Sequence, residues 1–536
     1  MAHLIQEFIF ESAQRTPAAV ALTWQGVPLS YLALADMVAA AASSVQGYGL
    51  GRGQRLVVYL EKREEAVVAM FGAAAAGAVF VPVNPLLKPA QVAHILSDCA
   101  ARMLVTSAVR LGQLGQQLAH CPHLKTVIVV GAVDALPDLP GLNFVSWSGF
   151  LGAALTLHEQ PCGQPPGQRV IDSDMAAILY TSGSTGKPKG VVLSHRNMVA
   201  GALSVAGYLG NTPQDRILAL LPLSFDYGLS QLTTAFASGA CVVLFDHLFA
   251  RDVIEIVEAE SITGLAAVPP LWIQLAQLSW PQAPALRYMT NSGGAMQRST
   301  LDALRRSLPH ARVYLMYGLT EAFRSTFLDP EQLDLRPNSI GKAIPNAEVL
   351  VLREDGTACG PDEPGELVHR GPLVALGYWN DPEKTAQRFR PLPAIEPGLP
   401  LPEIAVWSGD TVRADADGYL YFVGRRDEMI KTSGYRVSPA EVEEVVYQSG
   451  LVGEAAAVGV PHPLLGQAIA LLVTPRSGQM LEPATLVAAC KAGLPAFMQP
   501  AWVEVRDQSL PRNPNGKIDR KLLAEQLSDV FSGATR

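Results

Sequence analysis

The chain has 536 residues, which is too long for one ordinary hydrophobic core and predicts a large lobed domain plus a smaller one. Hydrophobic residues make up 49% and charged residues 17%, a composition typical of a globular protein that folds without metals or disulfides. The formal net charge of -8 opposes binding to a phosphate backbone, so no nucleic-acid partner is expected.

The cysteines and the N-terminus both bear on location. Six scattered cysteines include no Cys-x-x-Cys pair, which indicates neither a disulfide framework nor a thiolate zinc site and fits a reducing compartment. The first eight residues lack the basic and apolar segments of a secretory signal. A cytoplasmic location is therefore predicted.

Helical and strand-like stretches alternate along the first third of the chain. Residues 31–45 have a helical pattern, whereas 55–60 and 126–130 are rich in β-forming residues. This alternation continues through the strand-like runs 216–221 and 241–245. It predicts an α/β sheet.

Residues 66–83 carry no charged or polar side chain, and about 18 such residues is the lower limit for a membrane span. Alanine and glycine dominate the run, however, and after Gly77 it becomes strand-like up to Pro82. A buried helix, turn and strand is therefore predicted, and no membrane span.

The second half of the chain changes character twice. Residues 347–370 read as short strands separated by turns, which predicts a β-rich lobe beginning near residue 335. The proline-rich run 390–402 excludes a helix and a central strand, so an extended surface loop is expected. After Gly424, a helix at 440–448 and strands at 455–460 and 468–473 predict a compact C-terminal domain with a helical tail.

A strand-like run at 176–180 leads into Thr-Ser-Gly-Ser-Thr-Gly-Lys-Pro-Lys-Gly at 181–190. The glycines allow close approach of the backbone, and the hydroxyls and lysines offer donors to a polyphosphate. The string is not a Walker loop, because only two residues separate Gly183 from Gly186-Lys187 where that loop has four. Taken alone, such a stretch is also typical of a surface turn.

Further motifs follow it in order: Tyr-Gly-Leu-Thr-Glu at 317–321, Ser-Gly-Asp at 408–410, Gly-Arg-Arg-Asp at 424–427 with Ile-Lys-Thr-Ser-Gly-Tyr-Arg at 430–436, and Asn-Gly-Lys at 515–517. Together with the loop, they resemble the adenylate-forming superfamily of acyl-CoA synthetases, nonribosomal peptide synthetase adenylation domains and beetle luciferases. The resemblance implies an α/β fold whose large N-terminal domain, residues 1–424, has two α/β subdomains and a β-rich lobe. It also implies a small mobile α+β domain at 428–536 and a hinge near 425–427.

The resemblance implies an ATP site as well. Contacts to the β- and γ-phosphates are expected from Thr181, Ser182, Gly183, Ser184, Thr185, Gly186 and Lys189. The nucleoside is expected to contact Gly293, Gly294, Ala295, Tyr317, Asp410 and Arg425, with the last two at the ribose. Thr320 is expected at the α-phosphate, and Glu321 is expected to bind Mg²⁺, a hard cation that suits a carboxylate.

The C-terminal motifs imply a division of labour between two half-reactions. Lys517 is expected to position the carboxylate and stabilise charge at the α-phosphate during adenylation. Asp427 matches the hinge about which the small domain rotates, and hinges are few, element-terminal residues. Lys431 and Gly434 lie on the face expected at the site when a thiol displaces AMP.

The acid pocket is expected to include Phe225, Asp226, Gly228, Leu229 and Ser292. Asp226 stands where amino-acid-activating domains pair an aspartate with the substrate α-ammonium, although a capping or structural carboxylate is the simpler interpretation. Residues 458–466 instead resemble a CoA-ligase segment. The sequence therefore predicts an AMP-forming acyl-CoA ligase that uses ATP, Mg²⁺ and coenzyme A. The alternative is a free-standing enzyme that loads an amino or acyl group onto a carrier-protein phosphopantetheine, and a non-catalytic nucleotide-binding protein is more remote.

Overall fold

The fold is that of a computed structural model, which describes residues 2–132, 139–155, 169–181, 188–393, 398–425, 428–432, 435–462, 465–476, 480–513 and 516–531. The strands are β1 Val20–Trp24, β2 Val27–Ser30, β3 Arg55–Tyr59, β4 Val79–Pro82, β5 Met103–Ser107, β6 Thr126–Val130, β7 Asn143–Ser146, β8 Met175–Thr181, β9 Lys189–Ser194, β10 Arg216–Ala219, β11 Cys241–Leu244, β12 Gly264–Ala267, β13 Tyr288–Asn291, β14 Arg312–Tyr317, β15 Thr326–Leu328, β16 Ser339–Ala343, β17 Glu348–Leu352, β18 Gly365–Arg370, β19 Gly377–Tyr378, β20 Phe389–Pro391, β21 Ile404–Ala414, β22 Leu420–Arg425, β23 Ile430–Thr432, β24 Tyr435–Val437, β25 Val452–His462, β26 Gly466–Pro475 and β27 Trp502–Val505.

Helices cover the sheets and connect most of the parallel strands. The α-helices are α1 Glu7–Arg15, α2 Tyr31–Gly47, α3 Glu64–Ala75, α4 Pro89–Asp98, α5 Ala108–Leu114, α6 Trp147–Leu155, α7 His195–Leu209, α8 Asp226–Ser238, α9 Ala250–Ala259, α10 Pro269–Leu275, α11 Arg298–Ser307, α12 Pro382–Arg388, α13 Pro439–Gln448, α14 Pro483–Gly493 and α15 Arg520–Gln526. Short 3₁₀ helices span Gly115–His120, Thr320–Ala322, Pro330–Gln332 and Ala496–Met498.

The strands form three sheets. In the largest, β14, β13, β12, β10, β11 and β1 lie side by side and parallel, and β15 and β16 connect them to the antiparallel strands β17, β18, β21 and β22. The second sheet has the order β19-β9-β8-β4-β3-β5-β6-β7, and the third contains β23 to β27. The predicted α/β class, with two α/β subdomains, a β-rich lobe and a small α+β domain, is confirmed.

The apolar segment 66–83 forms nearly all of α3, a turn and β4, as predicted. Gly77 makes the turn with φ of +78°, a left-handed conformation that a side chain would strain. All of β4 is buried, and it pairs with β3 and β8 inside the second sheet. Among the described residues, no helix is long and apolar enough to cross a membrane.

The proline-rich segment departs partly from expectation. Arg390 and Pro391 belong to β20, which pairs with β21, so the expectation of a loop throughout 390–402 is wrong at its start. A proline is tolerated there because an edge strand needs backbone donors on only one side. Residues 394–397 of this predicted loop lie outside the described residues.

Two buried histidines predict how stability depends on pH. His195 accepts a hydrogen bond from the backbone N–H of Ile5 at Nδ1, 3.3 Å away, and His369 lies 3.0 Å from the Ser325 hydroxyl. Burial lowers the pKa of each imidazole from 6.5 to about 4. Because folding opposes protonation of both rings, stability is full above about pH 6.5 and is lost as the pH falls toward 4.

We expect each of these histidines to remove on the order of 2 kcal/mol of unfolding free energy between pH 7 and pH 5. Urea unfolding followed by tryptophan fluorescence at both pH values measures the difference. His195→Gln should shrink this difference, whereas the same change at the exposed His123 should leave it unaltered. An unchanged pH dependence in His195→Gln would contradict the assignment.

Candidate functional site

The predicted motifs in the first sheet follow the carboxyl ends of neighbouring parallel strands. Residues 220–225 follow β10, Val268 follows β12, Ser292 follows β13, and Thr320 with Glu321 comes shortly after β14. Carboxyl ends of parallel strands meet at one edge of a sheet, which is where α/β proteins bind ligands. The fold therefore gathers segments that are up to about a hundred residues apart in sequence.

Glu321 connects this edge to the second sheet. Its Oε1 accepts hydrogen bonds from the Lys189 ammonium at 3.1 Å and from the Tyr378 hydroxyl at 2.5 Å. Lys189 begins β9 and Tyr378 lies on β19, which pairs with β9. The Lys189 ammonium also lies 2.8 Å from the Tyr378 hydroxyl and above its ring. These contacts form a buried cluster of one carboxylate, one cation and one phenol.

The charge state of Glu321 follows from these neighbours. Burial acts to raise the pKa of this carboxyl, but Lys189, the Tyr378 hydroxyl and Arg388 together hold it below its ordinary value. Burial raises the pKa of Tyr378, and the adjacent Glu321 raises it further, so the phenol remains a donor. At neutral pH the cluster therefore holds a carboxylate anion beside a lysine.

Tyr317 and Asp410 meet at the neighbouring part of the site. The Tyr317 hydroxyl donates to Asp410 Oδ2 at 2.5 Å, and Asp410 is buried on β21 opposite Arg425 of β22. The Arg388 guanidinium donates to the backbone carbonyl of Trp407 at 3.1 Å and interacts electrostatically with both Glu321 and Asp410. One arginine thus lies near both carboxylates.

Lys517 reaches the site from the C-terminal domain. A Cβ atom placed on Gly293 would lie 3.7 Å from Lys517 Cε, 3.9 Å from Phe225 Cζ and 3.6 Å from Val268 Cγ1. Its backbone is held by Asn513, which exchanges two hydrogen bonds with it at 2.8 and 3.1 Å. Lys517 is largely exposed to solvent. The structure therefore places this lysine against the segment that follows β13.

Asp226 has a partner that the sequence did not predict. It begins α8 and is buried, and its Oδ2 lies 3.0 Å from Arg324 Nη1. Burial raises the pKa of Asp226, while Arg324 and then Lys517 act in the opposite direction. Asp226 is thus paired with an arginine, and its contact with a substrate α-ammonium stays a prediction.

Gly293, Gly294 and Ala295 lie on the loop after β13, where the Asn291 side-chain amide donates to the Gly294 carbonyl at 3.0 Å. Gly228 and Leu229 lie in the first turn of α8. Thr181 ends β8 and pairs in register with Lys189. Other predicted positions fall outside the described residues or side chains: Ser182, Gly183, Ser184, Thr185, Gly186, Arg425, Asp427, Lys431 and Gly434.

A magnesium ion can be tested against these residues. The described part of the chain contains no group of three or more His, Cys, Asp or Glu side chains that could hold a metal by themselves. Mg²⁺ is commonly bound by one or two carboxylates together with the phosphates of its substrate. The single buried carboxylate of Glu321, beside the start of β9, fits that mode, whereas an all-protein metal cage does not.

Three residues of the site were missed by the sequence reading: Tyr378, Arg388 and Arg324. Tyr378 and Arg388 lie in segments with no recognised motif, and only the pairing of β19 with β9 brings Tyr378 to Glu321. Arg324 did carry a signal, because it is the lone charged residue between Glu321 and Asp329. A charged residue in such an apolar run is expected to be paired if it is buried.

The start of α8 requires a glycine. A Cβ on Gly228 would overlap the carbonyl oxygen of Pro222, so the helix can approach this backbone only without a side chain. We expect Gly228→Ala to destabilise the protein by about 2 kcal/mol or to displace Asp226, because the first turn of α8 or the backbone at Pro222 must move to make room for the new methyl group. Thermal unfolding measures the change. Gly207→Ala in α7 is the control, since nothing lies within 4 Å of its Cβ position, and equal effects of both changes would contradict the prediction.

Comparison with known proteins agrees with this architecture, which is that of a nucleotide-binding α/β protein with a small second domain. The family described as AMP-binding enzyme matches residues 9–379, and the one described as AMP-binding enzyme C-terminal domain matches residues 441–517. The chain belongs to the AMP-binding enzyme family. The predicted membership of the adenylate-forming superfamily is thereby confirmed.

Relatives of two kinds are similar along nearly the whole chain. An L-proline–(L-prolyl-carrier protein) ligase of Pseudomonas fluorescens is 31% identical, with 98% of this chain and 99% of that protein covered. A long-chain-fatty-acid CoA ligase of Salmonella typhimurium is 29% identical, with coverage of 91% and 88%. Tyrocidine synthase 2 of Brevibacillus parabrevis is 31% identical over 97% of this chain, which spans only 13% of that protein.

A solved structure gives the same fold. The benzoate CoA ligase of Burkholderia xenovorans is 26% identical and superposes with a TM-score of 0.82, covering 97% of this chain and 99% of that one. The superposition therefore extends over nearly the whole of both chains. The predicted fold class agrees with this likeness.

Proposed function

We propose that this chain uses ATP to convert a carboxylic acid into its acyl-adenylate and then transfers the acyl group to a thiol. The observation that carries the proposal is that three charged side chains lie near the carboxyl ends of the parallel strands. Lys189 pairs with Glu321, and Lys517 lies beside Gly293. Preorganised charges of this kind stabilise the charge that develops in phosphoryl and acyl transfer. The carrier-protein and CoA ligases among the relatives support the same chemistry.

In the first half-reaction, the substrate carboxylate attacks the α-phosphorus and pyrophosphate leaves. Lys517 would hold that carboxylate and stabilise negative charge, Thr320 would contact the α-phosphate, and Lys189 would contact the leaving group. Tyr317 and Asp410 are proposed to hold adenine and ribose, since two carboxylate oxygens match a vicinal diol. Bound Mg²⁺ would neutralise phosphate charge, and Glu321 is the residue proposed to hold it.

In the second half-reaction, a thiol attacks the acyl carbon and AMP leaves. We propose that the domain at 428–536 rotates about Asp427 for this step, which withdraws Lys517 and brings the Lys431 face to the site. Lys431 lies on β23, one of the two short strands that begin the third sheet. Residues 1–424 are proposed to remain as the fixed domain.

Coenzyme A is the proposed acceptor, because residues 458–466 resemble a CoA-ligase segment and CoA ligases are among the relatives. A carrier-protein phosphopantetheine is the second candidate, and the full-length similarity to an L-prolyl-carrier protein ligase favours it. A cytoplasmic location without a nucleic-acid partner is part of the proposal for either acceptor.

The test has two stages. Purified protein is first assayed for exchange of radiolabelled pyrophosphate into ATP with a panel of acids, and the nucleotide product is identified. Acid-dependent exchange with at least one acid supports the proposal, whereas ADP formation, or nucleotide binding without exchange, would overturn it in favour of an ATPase or a non-catalytic protein. The active acid is then offered with coenzyme A or with holo-carrier protein, and the thioester is identified by mass spectrometry.

A further inference from the structure

The Asp226–Arg324 ion pair lies inside the proposed acid site. Asp226 and Arg324 have side chains that are 5% and 2% exposed, and 3.0 Å separates Oδ2 from Nη1. Asp226 is close enough to Lys517 and Glu321 to interact electrostatically with both. Its neighbour Phe225 approaches Gly293 from the same side as Lys517. The pair is therefore adjacent to the place where a substrate carboxylate would be activated.

Arg324 is held firmly in this position. Nη1 also donates to the carbonyl of Phe323 at 3.1 Å, and the guanidinium lies 4.8 Å from the centre of the Tyr227 ring. Phe323 has a φ of +54°, in the left-handed region that residues other than glycine rarely adopt. A guanidinium stays protonated at any physiological pH, so it is a permanent cation.

This cation decides what Asp226 can accept. A buried carboxylate in a pocket attracts one counter-charge, and Arg324 already supplies it before any substrate arrives. A substrate α-ammonium that entered beside the pair would lose its water, but Asp226 would already be neutralised and could not compensate it. The ammonium would also lie next to Arg324, which carries the same charge. Displacing Arg324 would instead leave a buried guanidinium without its carboxylate, which is also costly.

A purely structural role for the pair explains the geometry less completely. Arg324 Nε and Nη2 are buried and have no hydrogen-bond partner among the described residues. An arginine that serves only to join two segments is expected to have its buried donors satisfied. Arg324 therefore has an unsatisfied edge at the acid site.

We infer that Arg324 takes the place of a substrate α-ammonium beside Asp226, so that this chain activates carboxylic acids that lack an α-amino group. The inference rests on the proposed function and specifies its substrate class. Arg324 is a specificity-determining residue in this scheme, and it acts by neutralising Asp226.

Binding of matched acyl-adenylate analogues tests the inference without requiring turnover. Each pair of sulfamoyl-adenosine compounds differs only in the α-ammonium: phenylalanyl and 3-phenylpropanoyl, leucyl and 4-methylpentanoyl, prolyl and cyclopentanecarbonyl. We expect the amine-free member of at least one pair to bind the wild-type protein roughly 30-fold more tightly by isothermal titration calorimetry. Equal or tighter binding of the aminoacyl members would overturn the inference.

Two variants separate the role of Arg324 from a structural one. Arg324→Met removes the cation that occupies the place beside Asp226, so an α-ammonium can pair with this carboxylate and the preference for the amine-free analogue should fall at least about tenfold. The double change Asp226→Asn with Arg324→Gln keeps a neutral, similarly sized pair, and should retain the amine-free preference. An unchanged preference in a folded Arg324→Met variant would contradict the inference, and if that variant does not fold, the wild-type ratio decides.

Failure of the inference differs from failure of the proposed function. Tight binding of aminoacyl analogues, with pyrophosphate exchange driven by amino acids, would refute only the substrate class. Absence of binding of every analogue, together with absence of exchange with every acid, would refute adenylate formation itself.

Discussion

Replacing Lys517 with alanine is expected to reduce acid-dependent pyrophosphate exchange by roughly 100- to 1,000-fold. The side chain reaches the loop after β13, where it would contribute positive charge at the α-phosphate and the attacking carboxylate. The loss should appear in the rate of exchange, because charge that develops during the reaction is stabilised more than charge already present. Thermal unfolding should be unchanged, because Lys517 is largely exposed and surface changes are usually within about 0.5 kcal/mol of neutral.

Lys431→Ala is the matched control for this prediction. Both changes remove one lysine from the small domain, but Lys431 is proposed to act only after rotation about Asp427. Thioester formation from supplied acyl-AMP should therefore survive in Lys517→Ala and fall in Lys431→Ala, with exchange showing the reverse. Equal loss of both half-reactions in each variant would contradict two alternating positions of the small domain.

Much of the architecture was predictable because the segments that build it are continuous in sequence. The strand predicted at 126–130 is β6 residue for residue, and the apolar run 66–83 forms α3, a turn and β4 as its glycine suggested. The motif at 181–190 begins at the last residue of β8, and the motif at 317–321 begins at the last residue of β14, where a hydrophobic run stops and polar residues begin. Local pattern was sufficient for these features.

The site residues that were not predicted depend on contacts between segments that are distant in sequence. Lys189 and Tyr378 are 189 positions apart in sequence. They come into contact only because β19 pairs with β9. Asp226 and Arg324 are 98 positions apart: Asp226 follows β10 and Arg324 precedes β15, and β12, β13 and β14 lie between those two strands in the sheet order. No periodicity in the sequence reports such pairs, so the sequence left open whether Asp226 pairs with a substrate α-ammonium or is a capping or structural carboxylate, and it did not predict Arg324 as the partner.

Glu321→Gln is expected to lower adenylation by at least roughly 100-fold, or about 3 kcal/mol of transition-state stabilisation. The change keeps the size of the side chain but removes the negative charge that orients Lys189 and that would hold Mg²⁺. The concentration of Mg²⁺ needed for half-maximal exchange should therefore rise along with the loss of rate. Thioester formation from supplied acyl-AMP, which releases no pyrophosphate, should be much less affected.

Tyr378→Phe tests whether the charge of Glu321 or the hydrogen bond that positions it accounts for the loss of activity. It removes one hydrogen bond of 2.5 Å to Glu321 while leaving the carboxylate and Lys189 in place, so a loss of less than about tenfold is expected. The two variants should also differ in acid. Because the folded-state pKa of Glu321 is depressed, its contribution to stability is present above the ordinary value of 4.5 and is lost as the pH falls below it. Glu321→Gln should remove this part of the loss of stability in acid, whereas Tyr378→Phe should retain most of it. Equal catalytic losses in both variants would show that packing matters here and that the charge of Glu321 does not.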